Sequence, residues 1–207
     1  MVYGHLQLGE TEKAEALVTE MLEKDNHQVS FGSAYALAVA PVRLLLEQEK
    51  WAEAAALSPD LHAGIPWETF PQTVAMLWFA KGLGAARTGD VEDARAAMGE
   101  LRSLLETMRE RGHGYWAQLT EAQMMSVQAW TELAEGNDDL AVTLQTRAAD
   151  LEDKIGKSAV TPGHVLPARE LLGDLYTELG QTEEAAKAYK ATLTQSLNRA
   201  WSLAALG

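Results

Sequence analysis

Three histidines, His62, His113 and His164, precede helical stretches at wide intervals and carry the donor atoms that a zinc, copper or nickel ion would take. His62 falls in a long loop; the other two stand just before the first helix of successive units, so all three would share one edge of the molecule. The aromatics Trp67, Phe70, Tyr115 and Trp116 flank the same edge, with Trp67 held between Pro66 and Pro71. These residues give one reading: a small-ligand or metal-binding rim, accessory to an enzyme domain outside this chain. The other motifs are weaker. Gly112-His-Gly-Tyr-Trp-Ala117 spells a dinucleotide fingerprint, but that motif needs a buried strand before it, and Leu101 to Arg111 is helical in pattern. Phe31-Gly-Ser-Ala-Tyr35 lacks the second glycine of a nucleophile elbow. Carboxylates are plentiful, yet none stands in a pattern that singles out a general acid or base. No motif implies a catalytic residue or a cofactor.

Composition narrows the classes further. With no cysteine, disulfides, thiolate metal sites and cysteine nucleophiles are excluded. The formal charge is −13, from 30 acidic against 17 basic residues. Such a field repels a phosphate backbone and attracts basic peptides or protein surfaces, so the expected partner is a protein or peptide and not nucleic acid. The longest apolar stretch, Ala34 to Leu46, is interrupted by Pro41 and Arg43 and is too short for membrane insertion. The compartment is left open between cytoplasm and periplasm. Apolar residues make up 47% of the 207, enough to bury a core, and abundant alanine with little valine or isoleucine favours helix over strand.

The elements that must position these side chains are legible in a repeat. Gly9-Glu-Thr-Glu-Lys-Ala14, Gly89-Asp-Val-Glu-Asp-Ala94, Gly136-Asn-Asp-Asp-Leu-Ala141 and Gly180-Gln-Thr-Glu-Glu-Ala185 share a glycine followed five residues later by alanine. Glu49-Lys-Trp-Ala-Glu-Ala54 is a fifth copy without the glycine. The spacing predicts a helix–turn–helix. Glycine adopts the left-handed conformation that ends one helix, Thr, Asp or Asn caps the next, and acidic residues favour its first turn. The alanine lies where the second helix crosses the first. Upstream, Trp78 and Gly82 precede Gly89, and Gly173 precedes Gly180; downstream, Tyr189 lies one turn beyond Ala185. Pro41 should kink its helix or open a new one.

This large–small–small–large arrangement resembles the tetratricopeptide repeat, a pair of antiparallel helices of about thirty-four residues. The match is best over Leu166 to Leu197, with Leu172, Gly173, Tyr176, Gly180, Ala185 and Tyr189, and nearly as good over Trp78 to Leu101. Successive turns lie 40 to 47 residues apart, so helices and the loops Ser58–Gln72, Arg111–Tyr115 and Gly156–Gly163 must be lengthened. Val160 to Gly180 and Lys50 to Ala56 are similar to one group of large bacterial tetratricopeptide proteins, a likeness that transfers no catalytic residues. The resemblance implies an all-α fold, a right-handed superhelical solenoid of antiparallel helix pairs over residues 1–207. It would hold about five pairs, incomplete at both ends, as a fragment of a longer protein able to form a homodimer through its exposed ends. It also implies a non-enzymatic scaffold that binds a peptide in the concave groove lined by first helices. The groove-facing residues would be Arg43, Phe79, Leu83, Arg87, Trp130, Glu170, Asp174 and Thr177, without the Lys- and Asn-rich clamp that grips chaperone C-termini.

Overall fold

The structure, a computed structural model, describes residues 1–24, 26–58, 64–157 and 164–207. Every regular element among the described residues is helical. In chain order they are α1 (Val2–Gln7), α2 (Thr11–Leu22), α3 (Phe31–Leu46), α4 (Trp51–Ala55), α5 (Pro71–Arg87), α6 (Val91–Glu110), α7 (Gly114–Ala134), α8 (Asp138–Ile155), α9 (Ala168–Glu178), α10 (Thr182–Gln195) and α11 (Ala200–Leu206). A single 3-10 turn, Trp67–Thr69, leads into α5, which opens on Pro71 where a missing N–H costs nothing.

The five reversals marked by the repeat share one backbone solution, which Gly112 between α6 and α7 also adopts. Gly9, Glu49, Gly89, Gly136 and Gly180 take φ of 72°, 53°, 82°, 81° and 71°. In each case the next residue donates its N–H to a carbonyl five residues back: Glu10 to His5, Lys50 to Leu45, Asp90 to Ala85, Asn137 to Glu132 and Gln181 to Tyr176, at 2.8–3.0 Å. That bond satisfies a carbonyl the ending helix would otherwise leave open. The expected caps are mostly absent. Only Asp90 accepts a bond at its helix start, from the Asp93 N–H at 3.0 Å; Glu10, Lys50, Asn137 and Gln181 make no side-chain cap. Thr11 and Thr182 already lie inside their helices, so their hydroxyls come one residue too late.

After each reversal the alanine is buried. Ala14, Ala54, Ala94 and Ala141 have no exposed surface and Ala185 has 4%. Small residues on the facing helices complete the close approach. A Cβ on Gly82 would stand 2.9 Å from the Ala97 Cβ, and one on Gly173 would stand 2.5 Å from the Tyr189 ring. Gly84, which the repeat pattern did not single out, is as tight and meets backbone: its Cβ would lie 2.5 Å from the Trp51 carbonyl oxygen and 2.6 Å from the Ala55 nitrogen. Pro41 begins no new helix, because α3 runs through it without interruption.

Each helix packs on its neighbour in sequence, and α5 and α7 also meet directly, as do α3 and α5, and α7 and α9. The principal core is therefore built from α3, α5, α7 and α9, through Val42, Leu46, Phe79, Leu83, Val127, Trp130, Leu171 and Leu175. Two long-range contacts then draw the ends together. The Ala200 N–H donates to Gln7 Oε1 at 2.8 Å, and Arg199 donates to Glu47 Oε1 at 2.5 Å.

Candidate functional site

The eight residues expected to face a peptide groove lie on α3, α5, α7 and α9, and other parts of the chain cover most of them. Phe79, Leu83 and Trp130 are buried in the core at 1%, 0% and 3% exposure and present no surface to a ligand. Arg43 is 3% exposed; it stacks on the Tyr3 ring at 4.8 Å and donates to the Val165 carbonyl at 3.2 Å. Arg87 lies between two indoles, 4.8 Å from the Trp51 ring and 4.1 Å from that of Trp130, with Glu178 at 3.3 Å and Glu49 at 3.7 Å. Glu170 is fully buried and receives both Arg199 Nε and Nη2, the latter at 2.7 Å, and the Ser202 hydroxyl. Asp174 accepts from the Tyr189 hydroxyl and the Trp201 indole, each at 2.8 Å. Thr177 alone is exposed, and its hydroxyl donates to the Gly173 carbonyl at 2.9 Å. Contacts from the two ends of the chain account for much of this: Tyr3 of α1 covers Arg43, and Arg199, Trp201 and Ser202 at α11 satisfy Glu170 and Asp174. Burial pushes the Asp174 carboxyl up to about 7, with the Glu170 charge adding to it and the Trp201 and Tyr189 bonds opposing it.

An open surface remains at the other end of α3. Tyr35, Ala36, Val39, Ala40 and Arg43 lie on one stripe of that helix. With Val2 and Tyr3 of α1 and Leu17 and Met21 of α2 they line a groove of about 620 Å³. Its floor is apolar, and Glu20, Lys24 and His27 stand around it. Sequence reasoning missed this site. The signal was available in Ala36 and Ala40, two small side chains one turn apart on the same face of α3.

The aromatic edge is real and larger than expected. Trp116 packs against Tyr115 at 5.1 Å, edge to face, and against Phe31 and Tyr35 at 5.8 and 6.0 Å; Phe70 joins through Phe31 at 6.5 Å. Trp67 packs on the same core. Beside this cluster a cavity of about 310 Å³ is lined by Gln72, Gly112, His113, Gly114, Tyr115 and Trp116.

Two of the three histidines lie among the described residues. His113 precedes α7, and its Nδ1 is buried with no hydrogen-bond partner. His164 stands instead beside Glu152, Nδ1 to Oε2 at 3.6 Å, with both ring nitrogens buried and unbonded. His62 lies outside the described residues. Among the described residues no group of three or more His, Asp or Glu side chains could hold a metal ion. Glu152 is the more unusual member of its pair. Burial pushes its carboxyl up to about 8 although the Ala168 N–H, at 2.7 Å, favours the charged form; burial likewise pushes His164 down to about 4.

No helix among the described residues is long and apolar enough to cross a membrane. Neither family models, curated proteins nor solved structures show a match to this chain.

Proposed function

We propose that this chain is a non-enzymatic scaffold of the tetratricopeptide type, its helix pairs stacked into a right-handed superhelix, that binds an apolar helical segment of a basic partner protein. The repeated left-handed turns, buried alanines and glycine contacts support the repeat reading. The observation that carries the binding site is the groove between α1, α2 and α3, since the concave-side residues are already engaged within the chain. About 620 Å³ falls within the size range of sites that hold several side chains. Burying apolar groups at i, i+3 and i+4 of an incoming helix against Val2, Tyr3, Leu17, Val39 and Ala40 supplies the affinity, and the −13 charge steers a basic partner.

A photo-crosslinking residue at position 36, with a control at exposed Glu100, tests this against a library of amphipathic helical peptides. Captured peptides should carry an apolar stripe with lysine or arginine flanks, and Ala40→Glu should weaken them at least tenfold by placing a charge in the floor. Peptides indifferent to Ala40→Glu, or captured equally from position 100, would sink the proposal.

A further inference from the structure

The seven-residue helix α11 is built the wrong way round for a surface element. Six of its residues are apolar, and the seventh, Ser202, is the one turned inward, at 0% exposure. Trp201, Leu203, Ala204 and Ala205 are exposed. A helix apolar on every side is ordinarily covered. Polar ties seat it: Arg199, which precedes it, reaches Glu170 and Glu47, the Ser202 hydroxyl reaches Glu170, and the Trp201 indole reaches Asp174. Its apolar side is left for something else to bury.

This exposure is not scattered. Among the described residues seven large apolar side chains are exposed, and five of them, Met1, Leu8, Leu197, Trp201 and Leu203, lie on α1 and α11 or within three residues of their ends. Single exposed apolar residues need no explanation, but a concentration of them marks a contact surface. Helix α1 also joins α11 to the groove. Val2 and Tyr3, at its start, line the groove, and Gln7, its last residue, accepts the Ala200 N–H; only about 8 Å of helix separates them.

Charge selects the occupant. The chain carries −13, so a second copy is repelled over most approaches. Residues 191–207 hold a single charged side chain, Arg199, which is 1% exposed and neutralised by Glu170 and Glu47. In the groove lining, Glu20 is bridged by Lys24 at 2.7 Å. Two acidic copies can meet here without bringing like charges together. A surface that carries both a projecting apolar helix and an apolar groove is also self-complementary: a two-fold axis puts each α11 into the other copy's groove and closes the assembly at two. We propose that this chain forms such a dimer, with Trp201, Leu203 and Ala204 of each copy packed into the groove between α1, α2 and α3 of the other, a role that rests on the groove accepting an apolar helix as proposed above.

Sedimentation of the full chain tests this, and it should run as a dimer at submillimolar concentration. Leu203→Glu, on the exposed side of α11, and Ala36→Glu, at the exposed edge of the groove, should each weaken the dimer about tenfold or more while leaving Tm unchanged. Added salt should tighten the dimer by screening two acidic bodies from each other, the reverse of its effect on a basic ligand. A photo-crosslinking residue at position 36 of unlabelled chain, mixed with isotope-labelled chain, should attach to residues 200–206 of the labelled copy. A monomer at every concentration, a dimer indifferent to either substitution, or inter-copy crosslinks from position 36 that land outside 200–206 overturns the proposal. Peptides captured at position 36 by a chain that stays monomeric would remove the dimer and leave the basic partner standing. A dimer crosslinked as stated, with no peptide captured, would keep the dimer and remove the basic partner.

Discussion

Glu152 reaches from α8 to the start of α9, where its Oε1 takes the Ala168 N–H. A carboxyl group performing that task is ordinarily charged, but here burial holds its proton up to about pH 8, and the neighbouring His164, pushed down to about 4, is neutral as well. The signs follow directly. A carboxyl whose folded value is raised stabilises the fold fully below its unfolded value and loses that contribution as pH rises through the folded one. For Glu152 the window runs from 4.5 to about 8, and for Asp174 from 3.8 to about 7. His164 works in the opposite sense, its contribution present above 6.5 and lost as pH falls through about 4. Between pH 6.5 and 8 only the carboxyls change, so Tm should fall across that interval. Glu152→Gln, which keeps an oxygen for the Ala168 N–H, should flatten the alkaline part of the curve. Thermal melts that fall equally steeply in the variant would remove Glu152 from the account. Sequence inspection could not find this pair, because Glu152 sits among surface-like acids on a helix and only the arrival of the chain at 164–168 buries it.

Among the helices, the reversals were legible and the close backbone contact at Gly84 was not. Glycine followed five residues on by alanine marked four turns, since each residue type answers a local demand: positive φ and a small crossing point. The fifth turn shows the backbone requirement outranking the residue. Glu49 adopts φ 53° although a side chain is disfavoured there, and its carboxyl, raised by burial, faces Arg87 at 3.7 Å. Glu49→Gly should raise stability by up to about 1 kcal/mol in urea unfolding, the strain relieved exceeding a long, half-exposed ion pair. A decrease of that size would mean the pair with Arg87 outweighs the strain. Gly84 escaped notice because its partner is the backbone of α4, a five-residue helix in the weakest copy of the repeat. Gly84→Ala should destabilise by about 3 kcal/mol, because the Trp51 carbonyl and Ala55 nitrogen belong to main chain that cannot turn aside. Gly89→Ala, with open space around it and only φ 82° to strain, should cost about 1 kcal/mol in the same measurement.

Across the whole molecule, the sequence indicated an all-helical fold but not which parts of the chain would cover α3, α5, α7 and α9. Periodicity identifies which side of α5 or α7 turns inward; it does not say what residue 47, 170 or 199 will meet. Arg199 is 1% exposed and bridges Glu170, 29 positions away, and Glu47, 152 positions away. Burial alone would weaken its hold on the proton, and those two carboxylates more than reverse the effect. Arg199→Met should therefore cost about 3–5 kcal/mol by stranding Glu170 without a counter-charge. The double variant with Glu170→Leu should recover most of that loss in a urea series, and additive losses would show that packing and not charge holds this region. The same contacts show why sequence alone does not separate a peptide groove from an internal network: a guanidinium between two indoles has the chemistry of a recognition surface whether its neighbours come from a ligand or from the chain itself.

The hydrogen bond between Gln7 and the Ala200 amide spans 193 positions. A linear array of repeats can come apart unit by unit from either tip, like a zip with two open ends. The tie between Gln7 and Ala200 means that α11 cannot leave without breaking a contact to the region of the first helix. Loss of the one is thereby coupled to loss of the other, and the bond between them closes only once nearly the whole chain is in place.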